Sequence, residues 1–191
     1  MPRLFAALEL PPDIAARLAL IRGELQGARW MSPEDMHITL RFAGDISAEQ
    51  AREWARSLDD VAVDPFTVRI RGAGHFGGRE TNAVWAGVAA DQGMEVLRRA
   101  IERAGRHAGL PPEARGFKPH VTLARMRGAP ASAVARFLED HGALDFAPFA
   151  VARFVLMSAR DGRGGGPYAV EEAYELGLFS HLGESEIDPS R

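Results

Sequence analysis

Two short stretches with the same pattern decide how this sequence folds: His37-Ile38-Thr39-Leu40 and His120-Val121-Thr122-Leu123. Each alternates a polar residue with an aliphatic one, which is typical of a β-strand with one face in the core and one face open. The aliphatic residues fix the register, so each strand presents a histidine and a threonine on its polar face. The stretches begin 83 positions apart, which indicates an internal duplication.

The same order of elements surrounds both stretches. In the first half we predict strands over residues 4–10, 36–43 and 66–71, helices over 13–26 and 47–58, and a glycine-rich turn over 72–78. In the second half we predict strands over 83–88, 120–126, 149–158 and 168–176, with helices over 92–108 and 132–141. Both halves therefore read strand, helix, strand, helix, strand, and the strand over 168–176 closes the chain.

This order predicts an α+β fold with two pseudo-symmetric lobes of antiparallel sheet, helices packed outside and an active-site cleft between the lobes. Residues 1–182 are expected to form one bilobal domain, duplicated as about 1–80 and 81–180. Residues 183–191 are polar and are predicted to be a flexible tail. If the lobes face each other across a pseudo-twofold axis, the cleft holds two histidines and two threonines.

Composition limits the classes of function. The chain has 191 residues, 46% of them hydrophobic, which is ordinary for one globular domain. The absence of cysteine excludes a disulfide framework and a cysteine nucleophile, and fits a cytoplasmic protein. The net charge of −3 argues against coating by nucleic acid, so any RNA contact is expected in a small basic cleft. We predict no membrane span, and a monomer by default.

Two histidines and two threonines suit the cleavage of a cyclic phosphodiester. That reaction needs a base that takes a proton from water and an acid that protonates the leaving oxygen. Because an unperturbed imidazole has a pKa of about 6.5, one neutral and one protonated histidine are expected to coexist near neutral pH. Threonine hydroxyls can donate hydrogen bonds to the non-bridging oxygens. No metal is required, and no third ligand stands at a spacing typical of a metal site.

Several other side chains are candidates for substrate binding. Arg41 has the same parity as the first histidine, so strict alternation directs it into the cleft. Arg125 has the opposite parity to the second histidine and would need a β-bulge to turn inward. Phe76 could stack on a base or fill the space under its turn. Lys118 is a weaker candidate, and Trp85 is predicted to belong to the core.

The sequence resembles the two-histidine (2H) phosphoesterase superfamily, in which a His-x-Thr motif occurs twice in matching contexts. The nearest branch is the RNA 2′,3′-cyclic phosphodiesterases, historically called 2′-5′ RNA ligases. Beside the two motifs, the resemblance is carried by Arg3-Leu4-Phe5-Ala6-Ala7, Ala28-Arg29-Trp30, Leu40-Arg41-Phe42-Ala43-Gly44, Val84-Trp85-Ala86-Gly87-Val88 and Phe117-Lys118-Pro119-His120. It covers nearly the whole chain, and two such motifs about 80 residues apart are specific.

The resemblance implies a hydrolase without a cofactor that opens 2′,3′-cyclic phosphate ends of RNA, such as those of tRNA fragments, to 2′-phosphomonoesters. It assigns proton donation to His37 and proton acceptance to His120, a distinction that the two locally similar motifs do not make. It also favours Arg125 as a phosphate contact. The reverse reaction would join such an end to a 5′-hydroxyl through a 2′-5′ linkage. The glycine-rich residues 160–167 depart from the usual pattern and leave one cleft wall undefined.

Other functions fit the same residues. The substrate could be a 2′-5′-linked oligonucleotide, a small cyclic nucleotide or a cyclic phosphate on a metabolite. A non-catalytic module that binds RNA ends is a further alternative, although a pure binder has no need of both proton-transfer groups.

Overall fold

The computed structural model describes residues 3–23, 25–77, 80–89, 91–114, 116–127, 129–159 and 167–177. The elements of the first half are β1 (Arg3–Glu9), α1 (Pro12–Ala19), β2 (Ala28–Trp30), β3 (His37–Asp45), α2 (Ala48–Asp59), β4 (Phe66–Val68) and β5 (Ile70–Gly77). Those of the second half are β6 (Thr81–Val88), α3 (Gln92–His107), β7 (His120–Met126), α4 (Ala131–His141), β8 (Phe149–Val151), β9 (Arg153–Ala159) and β10 (Tyr168–Glu175). The predicted tail and the glycine-rich residues 160–166 lie outside the described residues.

One antiparallel sheet organises the molecule, with the strand order β10-β9-β1-β3-β7-β6-β5. The two histidine strands, β3 and β7, meet at its centre and pair through Ile38 and Val121. On either side of this narrow junction, the strands pair along most of their length. The junction therefore divides the sheet into two lobes, which confirms the predicted α+β fold with antiparallel lobes.

The lobes do not coincide with the two halves of the sequence, because the halves exchange their third strands. From the first half, β5 pairs with β6, while from the second half β9 pairs with β1. The short strands β4 and β8 pair with each other in a separate two-stranded sheet. A duplication boundary near residue 80 stays a prediction about the sequence, but each lobe needs strands from both halves.

The structure differs from the predicted elements in three places. Residues 66–71 and 149–158 were each expected as one strand, but each divides in two because its first part joins the small sheet. The glycine-rich residues 72–77 are not a turn but most of β5, where Gly74 leaves room for the Trp85 ring that a Cβ would overlap. The first helix ends at Ala19 instead of residue 26. After it, the N–H groups of Leu20 and Ile21 donate to carbonyls three residues earlier, and Gly23, a poor helix former, follows.

The two faces of the sheet have different coverings. One face packs against the helices and forms the main core, which includes Ile38, Leu40, Val121 and Leu123 together with α3 side chains such as Leu97. The other face carries a small apolar cluster of Phe5, Ala7, Val155 and Met157. This second face bears both histidines. Among the described residues, none of the helices combines the length and apolar character needed to span a membrane.

Candidate active site

A cleft of about 870 Å³ lies over the junction of β3 and β7. Because Ile38 pairs with Val121 in antiparallel orientation, His37 lies beside Thr122 and Thr39 beside His120 across the junction. The structure thus brings the predicted quartet together. The side chains that line the cleft include His37, Thr39, His120, Thr122, Arg125 and Phe76.

Both histidine strands contain a β-bulge at the same place in the motif. The pairing of β3 with β1 shifts between Thr39 and Arg41, which leaves Leu40 as the additional residue. The pairing of β7 with β6 shifts in the same way, which leaves Leu123 as the additional residue. A bulge reverses the alternation of faces for every residue beyond it. The bulges therefore decide where the two candidate arginines point.

Arg41 does not point into the cleft as strict alternation predicts, because the bulge at Leu40 turns its guanidinium toward α3. The side chain is 2% exposed, and its Nε donates to Glu102 at 2.6 Å. One terminal nitrogen donates to the Pro111 carbonyl at 2.7 Å. A Cβ at Gly105 would lie 2.6 Å from the Arg41 Cζ, so this glycine lets the guanidinium lie against the helix. Although Arg41 contributes to the cleft lining, its charge is committed to the helix layer.

Arg125 has the bulge that its inward orientation requires. It lies two positions after Leu123, and the reversal of faces places it with His120 and Thr122 on the cleft side. The residue is exposed, and its charge lowers the pKa of both histidines. The corresponding position in the first motif is Phe42, so the two motifs place a cation and an aromatic ring at matching points of the cleft.

Each histidine is fixed by the carbonyl two residues before it. The ring Nδ1 of His37 lies 2.8 Å from the Asp35 carbonyl oxygen, and that of His120 lies 2.6 Å from the Lys118 carbonyl oxygen. A carbonyl only accepts, so Nδ1–H donates in both cases. The Nε2 atom of each ring is left to exchange protons. This is the arrangement that a pair of proton-transfer groups needs.

Aromatic side chains hold both rings in place. Tyr168 meets the His37 ring edge-on with centroids 4.9 Å apart, and Phe5 packs against the same ring at 4.9 Å. Phe76 meets the His120 ring edge-on at 4.7 Å, and Trp85 lies 6.0 Å away. The candidate base-stacking residue Phe76 is therefore a wall of the histidine site. Trp85 is buried as predicted, but it also supports His120.

Both imidazoles are harder to protonate than a free histidine. Burial lowers the pKa of His37 to about 4, against the opposing effects of the Asp35 carbonyl and carboxylate. Burial also lowers the pKa of His120, and the charges of Lys118 and Arg125 act in the same direction. In the free protein both histidines are thus mainly neutral at pH 7. The free protein therefore does not contain one neutral and one protonated histidine, as the unperturbed pKa predicted.

The partly buried, neutral His37 is expected to make the protein less stable in mild acid. Its pKa is lower in the folded protein than in the unfolded chain, so only the unfolded chain binds the proton between about pH 6.5 and pH 4. The free energy of unfolding should fall as the pH drops through this window, by about 2 kcal/mol at pH 5 from this residue alone. Urea unfolding at pH 7 and pH 5 measures the effect.

The substitution His37→Gln should remove that part of the acid sensitivity, since glutamine does not titrate. The exposed residue His75 provides the matched control, and His75→Gln should behave as the unchanged protein does. Equal losses of stability in the unchanged protein and in His37→Gln would show that His37 is not a buried neutral group in solution.

Sequence reasoning missed the residues that hold the two histidines. Asp35 and Tyr168 act on His37, but they are 133 positions apart and meet only because β10 returns to the sheet. The carbonyls of Asp35 and Lys118 carry no sequence signal, since every residue has one. The only available clue was that both stand two residues before a motif histidine. Within the described residues, no group of three or more histidine, aspartate or glutamate side chains is placed to hold a metal ion.

Comparison with known sequences places the chain in a family. Residues 10–163 match the family model described as the 2′-5′ RNA ligase superfamily. A relative from Thermotoga maritima, named RNA 2′,3′-cyclic phosphodiesterase, is 30% identical over 94% of this chain and 99% of its own length. A relative of the same name from Thermus thermophilus is 35% identical over 69% of this chain and 72% of its own length.

Solved structures agree with the sequence match. The chain TT0787 of Thermus thermophilus superposes with a TM-score of 0.76 at 26% identity, covering 93% of this chain and all (100%) of that one. E. coli LigT, solved in complex with 3′-AMP, superposes with a TM-score of 0.73 at 24% identity, covering 92% of this chain and 99% of that one, and supports the fold alone. With two His-x-Thr strands meeting under one cleft, the chain belongs to the 2′-5′ RNA ligase superfamily.

Proposed function

We propose that this protein hydrolyses the 2′,3′-cyclic phosphate ends of RNA to 2′-phosphomonoesters by general acid–base catalysis. The observation that carries the proposal is the pair of imidazoles in one cleft, each with Nδ1 bound to a carbonyl and Nε2 left for proton transfer. Its sequence relatives named RNA 2′,3′-cyclic phosphodiesterase support the choice of substrate.

The reaction needs two proton transfers on opposite sides of phosphorus. Following the family resemblance, Nε2 of His120 takes a proton from water as its oxygen bonds to phosphorus. The bond from phosphorus to the 3′-oxygen breaks, and Nε2 of a protonated His37 gives its proton to that oxygen. The next catalytic cycle requires a proton to pass from His120 to solvent and one from solvent to His37. Neither a covalent intermediate nor a resident metal takes part in this scheme.

The bound phosphate supplies the negative charge that the free site lacks next to the two imidazoles. Arg125 and the hydroxyls of Thr39 and Thr122 line the cleft and would hold the non-bridging oxygens. A bound phosphodiester brings a negative charge next to both imidazoles, which raises their pKa values relative to the free protein. Binding of the substrate thereby favours the protonated His37 that the reaction needs. Arg41 has no part in this step, because its charge is paired with Glu102.

The biological setting is part of the same proposal. RNA ends of this type, including those of tRNA fragments, are the substrates we expect, and the resemblance makes 2′-5′ joining the reverse of the same reaction. A cytoplasmic location and a monomeric state are the predictions that accompany it. An anionic chain with a local cationic cleft should bind the end of an RNA and not coat its length.

A single incubation tests the reaction class. The purified protein is mixed, in excess chelator, with an RNA oligonucleotide that ends in a 2′,3′-cyclic phosphate. The product end is identified by its sensitivity to phosphatase and its resistance to a 3′-phosphate-specific enzyme. We expect a 2′-phosphate, formed at the same rate with and without chelator.

Four results would contradict the proposal in different ways. A 3′-phosphate product would show that the bond to the 2′-oxygen breaks instead. A loss of activity in chelator would show that a metal takes part in the reaction. Turnover of a bare nucleoside 2′,3′-cyclic phosphate but not of RNA would point to a small-molecule substrate. Tight binding of the RNA end without turnover would indicate a non-catalytic binding module.

A further inference from the structure

The residues two positions before the histidines play the same backbone role but carry opposite charges. Asp35 and Lys118 each offer a carbonyl to the Nδ1 atom of the following histidine. Their side chains are a carboxylate and an ammonium, and both act on the neighbouring imidazole. Beside Phe42 and Arg125, this is a second point at which the two motifs, alike in their His-x-Thr pattern, differ electrostatically.

The Asp35 carboxylate is held close to His37 by a second element. One of its oxygens accepts from the backbone N–H of Tyr168 at 2.9 Å, and the other accepts from the Ser32 hydroxyl at 3.1 Å. The Tyr168 ring in turn packs edge-on against the His37 ring. The negative charge therefore has a fixed place next to this imidazole, where it stabilises the protonated form.

The Lys118 ammonium is held close to His120 by the aromatic walls of the site. Its Nζ lies 4.5 Å from the centroid of the Trp85 ring and 5.9 Å from that of Phe76. The same two rings pack against His120. Cation–π contacts of this kind hold an ammonium over a ring face. The positive charge is thus fixed where it disfavours protonation of His120.

We propose that Asp35 and Lys118 are positioning residues that set the direction of proton transfer, with His37 kept as the acid and His120 as the base. This rests on the proposed function, because it concerns the two proton transfers of that reaction. The other charged groups that act on the two imidazoles are Arg125, which acts on both, and His120, which acts on His37. These groups oppose protonation, and the rings from β5, β6 and β10 add no charge. Among the described groups, Asp35 is the one that supports a protonated His37.

Two substitutions that remove charge and keep shape test the proposal by NMR titration of the histidines. Asp35→Asn preserves an acceptor for Tyr168 and should lower the pKa of His37 by about 0.5 to 1. Lys118→Met preserves the stacked stem and should raise the pKa of His120 by about the same amount. The controls are Glu34→Gln, which removes the adjacent carboxylate, and Lys118→Arg, which keeps the charge. The titrations are run on the free protein and with adenosine 2′-phosphate bound.

The same variants should change turnover in opposite pH ranges. Lys118→Met should lose about 3- to 10-fold at pH 6 and little at pH 8, because a more basic His120 is occupied by a proton at low pH. Asp35→Asn should lose more at pH 8 than at pH 6, because His37 then holds its proton less well. A purely structural role would lower activity equally at all pH values and leave both titrations unchanged, which would overturn the proposal.

The sequence offers an independent test, because Lys118 is the only lysine in it. Acetylation removes the charge of its ε-amine, whereas reductive methylation keeps it. The N-terminal amine reacts in both cases, so the same two treatments of Lys118→Met measure its own contribution, which is subtracted. Acetylated protein should reproduce Lys118→Met, and methylated protein should keep the original titration of His120. Equal titrations after the two treatments would overturn the proposal. Because titration needs no turnover, this result is separate from the success or failure of the proposed hydrolysis.

Discussion

Replacing either His37 or His120 with alanine is expected to lower kcat for a 2′,3′-cyclic phosphate by about 10³-fold. Each imidazole performs one of the two proton transfers, and a positioned acid or base contributes typically about 10²- to 10⁴-fold. The double variant should be only slightly slower than either single one, because the two groups act as a pair. Single-turnover rates with an RNA end measure the chemical step.

The control for this series must separate catalysis from folding. His37→Ala opens a space between Phe5 and Tyr168, so His37→Gln serves as a second variant that keeps more of the side-chain volume. Circular dichroism and urea unfolding at pH 7 check that the fold is retained. The exposed residue His75, replaced by alanine, should leave the rate unchanged. Ordinary turnover in either active-site variant would contradict the acid–base mechanism.

Replacing the two candidate arginines with methionine is expected to change different properties, catalysis for Arg125 and stability for Arg41. Arg125→Met should lower kcat/KM by about 10²- to 10³-fold, because a charge-assisted contact to the phosphate is lost. The other arginines of the cleft lining, Arg3, Arg41 and Arg98, are paired with carboxylates. The free energy of unfolding should stay nearly constant, since Arg125 is exposed. Steady-state kinetics and urea unfolding of the same sample measure both quantities.

Arg41→Met should show the opposite result. The guanidinium is buried and bound to Glu102 and to the Pro111 carbonyl, so its loss leaves these acceptors without their donor. We expect the free energy of unfolding to fall by about 3 kcal/mol, near the lower end for breaking a buried pair, because Glu102 retains some access to water. A stable Arg41→Met protein with weakened phosphate binding would instead place Arg41 in the substrate site.

The local pattern was sufficient for most of the helices and strands and for bringing the four central residues onto the polar faces of their strands. Period-two alternation at His37 and His120 identifies half-buried strands, and their repetition predicts that both lie in one cleft. The direction of the side chains needs no detailed geometry, because the aliphatic face of each strand must face the core. Helix α3, with Met94, Leu97 and Ile101 on one face, was also readable from its spacing and lies in the core.

Other predictions failed because the deciding contacts are remote in sequence. The third strand of each half pairs with the other half, and nothing in the residues 66–71 or 149–158 specifies that exchange. The supports of His37 come from Asp35 and Tyr168, which only the sheet topology brings together. The lowered pKa of His37 has the same origin, because burial depends on everything packed around the ring.

The sequence by itself determined that each His-x-Thr strand presents its histidine and threonine on one polar face, since alternation of faces is a local property of an extended chain. The duplication then predicted that both strands share a cleft. Only the tertiary structure decided which arginine enters that cleft. The residues at Leu40 and Leu123 look like ordinary strand positions, and the bulges there appear only when β1 and β6 pair alongside. A bulge is a relation between two strands, so one strand read alone cannot reveal it. That single added residue sends Arg41 toward the helices and Arg125 toward the histidines.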